Sequence, residues 1–72
     1  MLTKEDKAQI INAHIKNLSY SKYNLEVDKV QENAKSSPDS TTISVIDSQI
    51  DEIDRQVVAL ESELETVNAL AE

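Results

Sequence analysis

The chain has no cysteine, glycine, phenylalanine or tryptophan, and Pro38 is its only proline. Without Cys no disulfide can staple the fold, and a zinc site is nearly excluded because His14 is the sole imidazole. Without Gly, tight turns that require positive φ are hard to build, so β-hairpin and loop-rich architectures are disfavoured. Two Tyr are the only aromatic residues, which leaves little material for a compact core. No stretch approaches the roughly 20 apolar residues of a membrane span. The opening Met1-Leu2-Thr3-Lys4-Glu5-Asp6 has no apolar run behind a basic region, so no secretory signal is expected. These absences lead us to expect a soluble cytoplasmic protein with no cofactor and no metal.

What remains is a short, acidic, helix-forming chain. Seventy-two residues make one small domain, and chains of this size bury only about 60% of their unfolded surface. With disulfides and metals set aside, self-association or a partner chain is the expected remedy.

One cluster of turn-formers, Ser36-Ser37-Pro38-Asp39-Ser40-Thr41-Thr42, divides the sequence almost equally. Ser37 is the expected N-cap of a second helix with Pro38 at its first position; Asp39 or Ser40 are alternative caps. At the start, Thr3 and Asp6 form the expected pair of a weakened capping box. The reading is all-α: a helix over about 4–35, a turn over about 36–41, and a helix over about 38–70. Two matched helices around a short connection predict an antiparallel two-helix hairpin with coiled-coil packing, oligomerising into a helical bundle.

The second half carries the strongest pattern. Ile43, Ile46, Ile50, Ile53, Val57, Leu60, Leu64, Val67 and Ala71 follow in steps of three and four without interruption. Taken as a and d positions, they make a left-handed coiled-coil seam, and no Asn or Lys within them specifies a strand number. An amphipathic helix on a globular core would share this pattern, but the chain leaves no room for such a core.

The first half is less regular. Tyr20, Tyr23, Val27, Val30 and Ala34 form one stripe, whereas Ile11, Ile15, Leu18 and Leu25 form another on roughly the opposite side. Either the helix shifts phase near Ser19-Tyr20-Ser21, or it is continuous with two apolar faces. The continuous reading is favoured, because no long polar stretch interrupts the region. It gives one face to the second helix and leaves the stripe Ile11, Ile15, Leu18 and Leu25 for another molecule. Tyr20 and Tyr23 are candidate anchors for a partner, or ordinary seam residues.

Charge orients the two halves. Residues 1–36 carry six Lys against five acids, and residues 37–72 carry one Arg against nine, so +1 and −8 make up the net −7. In an antiparallel hairpin, residues whose numbers sum to about 75 lie level. That pairs Lys29 with Asp47, Lys22 with Asp54 and Lys16 with Glu61, each acid flanking the seam. Exposed pairs of this kind select orientation more than they stabilise.

Candidates for chemistry are few. His14 has no paired nucleophile, and a coiled coil offers it no cleft, so a partly exposed helix position is expected. Asp47, Asp51, Glu52 and Asp54 share part of one face, where a divalent cation needs converging elements, and a solvated acidic surface is the expectation. No enzyme is expected. Direct nucleic-acid binding is disfavoured by the negative charge, although an acidic rod suits a DNA mimic.

The stretch Lys22-Tyr23-Asn24-Leu25-Glu26-Val27, with Glu32-Asn33-Ala34, the Ser-Pro turn and the opening Met1-Leu2-Thr3-Lys4-Glu5-Asp6-Lys7, resembles small helical proteins of marine tailed phages, T4-like cyanophages in particular. The resemblance spans most of the chain and implies a viral origin and a hairpin, with no functional residue to carry over. It implies a virion component or a factor acting in the host cytoplasm. The expected role is a non-enzymatic module that self-associates or docks in a larger helical assembly. Its expected interface comprises the seam from Ile43 to Val67 and the stripe from Ile11 to Leu25, with Tyr20 and Tyr23. The alternative is an acidic inhibitor or adaptor that binds a host protein.

Replacing Ile50 and Ile53 together with Asp is predicted to abolish folding or association. An unchanged sedimentation profile and helical circular dichroism signal would contradict the seam.

Overall fold

The computed structural model describes residues 1–71 and contains two helices, α1 over Lys4–Asn33 and α2 over Ser40–Asn68. They fold back on each other as an antiparallel hairpin, a rod of 57 × 15 × 14 Å. Both helices are slightly shorter than the sequence suggests, and the reason lies at their ends.

Helix α1 starts at a full capping box. The Thr3 hydroxyl accepts from the Asp6 amide at 3.1 Å, and the Asp6 carboxylate accepts from the Thr3 amide at 3.0 Å. Two of the amides that lack an intrahelical partner are thereby satisfied. The helix then runs without a break. Ser19 does not interrupt it, because its hydroxyl donates to the Ile15 carbonyl at 3.0 Å one turn earlier. The phase shift considered near Ser19-Tyr20-Ser21 does not occur, and α1 carries two apolar faces.

The end of α1 reflects the missing glycine. A common helix ending places a left-handed residue just beyond the last turn. Here the described residues contain no positive φ, and the cap Ala34 remains right-handed at φ −81° and ψ −10°. The Ala34 and Lys35 amides tighten the last turn by donating to Gln31 and Glu32 carbonyls at 3.3 Å.

Helix α2 is capped by Asp39, not Ser37. The Asp39 carboxylate accepts from the Thr41 amide at 2.9 Å and the Thr42 amide at 3.3 Å. Its backbone is extended, so Pro38 lies outside the helix, where its missing N–H leaves nothing unsatisfied. The expected start at residue 38 therefore moves to Ser40.

The core is thin. Ile46, Ile53 and Val67 are the buried apolar side chains, all on α2. Ile43, Ile50, Val57, Leu60 and Leu64 complete the same seam half-buried, while Ala71 lies past the helix and is exposed. On α1 the residues turned inward are Ala8, Ile11, Ile15, Leu18, Lys22, Leu25, Lys29 and Glu32, again in steps of three and four. The seam of α1 is therefore as regular as that of α2, with polar residues at three positions near the turn.

Because Asp39 holds the N-terminus of α2, Asp39→Ala is predicted to cost about 1 kcal/mol, whereas Ser37→Ala changes stability little. Thermal melts of the two variants check this; a larger loss from Ser37→Ala would restore the earlier cap.

Candidate helix-docking face

Two of the three expected interhelical ion pairs form. Lys22 Nζ lies 2.7 Å from Asp54 Oδ1, and Lys29 Nζ lies 2.8 Å from Asp47 Oδ1. Lys22 and Lys29 occupy seam positions, yet their ammonium groups remain partly exposed. Their stems run over the seam and deliver the charge to the flank of α2, as long cationic side chains do at an apolar surface. The hydrogen bond from Lys22 to Asp54, reinforced by the Asp54 charge, holds the Lys22 pKa above its ordinary value.

The third pair, Lys16 with Glu61, is not among the ion pairs of the described residues. Seven residues before Lys22 is Ile15, and Lys16 is rotated about 100° further around the helix, away from α2. Ile15 takes the seam position, and Glu61 is left exposed on the flank.

Among the described residues Glu32 is the one buried charged residue, 7% exposed at the end of α1. Its carboxylate accepts from the Asp39 backbone amide at 3.0 Å and from Lys35 Nζ at 3.0 Å. It thus joins the last turn of α1 to the residue that caps α2. The amide hydrogen bond first, and the Lys35 hydrogen bond second, pull its pKa below the ordinary carboxylate value. On the other flank Arg55 donates to Glu52, a hydrogen bond that, with the Glu52 charge, raises the Arg55 pKa. Neither Glu32 nor the polar seam was foreseen from sequence. The available signal was that Lys22, Lys29 and Glu32 continue the spacing of Ile11, Ile15, Leu18 and Leu25.

The two stripes of α1 therefore exchange the roles expected of them. Ile11, Ile15, Leu18 and Leu25 pack toward α2, so they are not the surface left over. Leu25 lines one interhelical groove with Ile53, and Ile11 lines another with Val67. Tyr20, Tyr23, Val27 and Val30 face outward instead, with Tyr23 67% and Val30 68% exposed. Ala34 is exposed in line with them. Lys16, Ser19, Tyr20 and Tyr23 line a shallow depression on this outer side. The physical reason is steric economy: the aliphatic stripe fits the isoleucine seam, and the lysine stems complete it near the turn.

His14 is exposed on α1. Asp47 and Asp54 are engaged by lysines, and among the described residues no group of three His, Cys, Asp or Glu side chains could hold a metal ion. Among those residues, too, no helix is long and apolar enough to cross a membrane. No protein-family model, curated protein or solved structure matches the chain.

The Glu32 contacts predict an acid-sensitive turn. A carboxylate whose folded pKa is lowered stabilises the fold above its unfolded value, and that contribution disappears as pH falls through the folded value. The melting temperature of the wild type should therefore exceed that of Glu32→Gln at pH 7, and the gap should close as pH falls below the ordinary carboxylate range. A gap independent of pH would contradict the role given to the ionised group.

Proposed function

We propose that this chain is a non-enzymatic helical interaction module, which self-associates or adds its helices to a larger assembly. The observation that carries the reading is the mismatch between length and burial. A 57 Å rod buries three apolar side chains while leaving a continuous Tyr and Val stripe in water. Exposed apolar patches of this regularity mark sites of association, and a hairpin with so thin a core gains stability by covering them. An assembly within a phage particle is one setting for such a module, and the resemblance to small tailed-phage proteins is equally compatible with a factor acting on the host.

The rival, an acidic factor that occupies a host protein, draws on α2. Its exposed residues include Asp51, Glu61, Glu63 and Glu65. It lacks a continuous apolar anchor there, since Val45 and Val58 stand apart on the exterior of that helix. Interfaces depend on such anchors more than on rim charge, so the module reading is preferred.

The reading predicts that the isolated chain is stabilised by association. Thermal melts followed by circular dichroism across a hundredfold dilution (about 100-fold, enough to shift a binding equilibrium) should show either a midpoint that falls on dilution or a weakly stable monomer. A strongly stable monomer whose midpoint ignores dilution would overturn it.

A further inference from the structure

The outer stripe of α1 has a repeat of its own. Ala13, Lys16, Tyr20, Tyr23, Val27, Val30 and Ala34 are spaced by three and four, and all seven are exposed. At about 1.5 Å per residue the stripe is about 32 Å long, on the side of α1 turned away from α2. It is a second seam, facing away from the first. One edge carries Asn17, Asn24 and Gln31, and the other carries Ser19, Glu26 and Asn33. The only charged residues in the seam and on these edges are thus Lys16 and Glu26.

We propose that this seam is occupied by a second copy of the chain, α1 against α1 in antiparallel register, with Tyr20 of each copy level with Tyr23 of the other. The inference rests on the module reading above and names its partner. Three features point to a copy rather than to another protein.

The first is self-complementarity. When Tyr20 and Tyr23 lie level across a two-fold axis, Val27 meets Lys16, and Glu26 comes within one residue of the same Lys16. The arrangement occurs twice, as a two-fold contact requires. A parallel register would set Lys16 against Lys16. Neither Lys16 nor Glu26 belongs to an ion pair among the described residues, although the Glu26 charge also acts on Lys22 one turn earlier. The second is charge. Residues 1–36 carry six Lys against five acids, while residues 37–72 carry one Arg against nine. Contact through α1 joins the nearly neutral halves and keeps the strongly acidic helices on the outside of the dimer, which lowers the repulsion between copies. The third is extent. The smaller specific interfaces bury about 600 Å² per partner, roughly one-ninth of the 5388 Å² surface of this chain. A helix face carrying two exposed tyrosines and two exposed valines offers a continuous apolar surface for that. The groove that Leu25 and Ile53 line between α1 and α2 is edged by the polar side chains Ser21, Asn24, Gln49 and Glu52.

Sedimentation equilibrium of the full chain tests the proposal, with helicity followed in parallel. The wild type should dimerise. Tyr23→Glu should remain helical and become monomeric, whereas Val58→Glu, on the outside of α2, should leave the dimer intact. Lys16→Glu and Glu26→Lys should each weaken association about tenfold, and the double exchange should restore it. Restoration supports the antiparallel register, because each reversed charge again meets its opposite. Several results would overturn the proposal: a wild-type monomer, a dimer unaffected by Tyr23→Glu, a dimer broken by Val58→Glu, or a double exchange that fails to recover affinity. A weakly stable monomer would remove the self-association while leaving the interaction-module reading intact. A strongly stable monomer would remove both.

Discussion

The seam of α2 needs a cover, and the rest of the hairpin follows from how α1 provides one. From Ile43 to Val67 the seam runs about 36 Å at 1.5 Å per residue, with no polar interruption. An isolated helix with this face would be wetted along its length, and helical stability in water comes chiefly from covering such a face. Helix α1 matches the period. It covers the far part of the seam with Ile11, Ile15 and Leu18, and the part nearer the turn with Leu25 set between the stems of Lys22 and Lys29. Among the described residues only three apolar side chains become buried as a result, since two helices have no third element to close over them.

Lysine at the seam links packing to orientation. Each stem covers an apolar neighbour, and each ammonium emerges beside an acid on the flank of α2, Asp54 or Asp47. Residues 34–39 are too few to carry the chain back along α1 for a parallel arrangement. In the antiparallel one the two lysines, seven apart, meet two aspartates that are also seven apart. The turn adds a second constraint. With no glycine to adopt a left-handed ending, the chain reverses through right-handed and extended residues. The carboxylate of Glu32 then takes up the Asp39 amide that such a turn would otherwise leave exposed at a buried corner. Packing, charge and turn chemistry agree on one topology, as a sequence that specifies a single fold requires.

Much of this was legible in the residues themselves. The uninterrupted isoleucine and leucine pattern located α2, the Ser-Pro cluster located the turn, and the charge difference between the halves predicted two of the ion pairs. Three features were not legible, each for a physical reason. Lys16 was paired with Glu61 by level alone, although helix rotation carries it out of the seam that Lys22 and Lys29 share. The inward face of α1 was obscured because Lys22, Lys29 and Glu32 are polar, so apolar patterning favoured the Tyr and Val stripe instead. Ser37 looked like the cap because Pro38 suits a first helical position. The competing demand of Glu32 for the Asp39 amide is visible only once the two helix ends meet. The consequence for function is that the surface available to another molecule carries tyrosine and valine, while the aliphatic stripe is occupied within the chain.

The central claim is therefore the orientation of α1, and isotope-filtered NOE spectroscopy within single chains tests it most directly. Mixing labelled and unlabelled protein separates contacts inside a chain from contacts between copies. Intramolecular NOEs are expected from the Leu25 methyls to Ile53 and from Ile11 to Val67, pairs that line two interhelical grooves. None is expected from the Tyr20 or Tyr23 rings to that seam. Intramolecular NOEs from either tyrosine ring to Ile46, Ile50 or Ile53, with the Leu25 contacts missing, would contradict the claim.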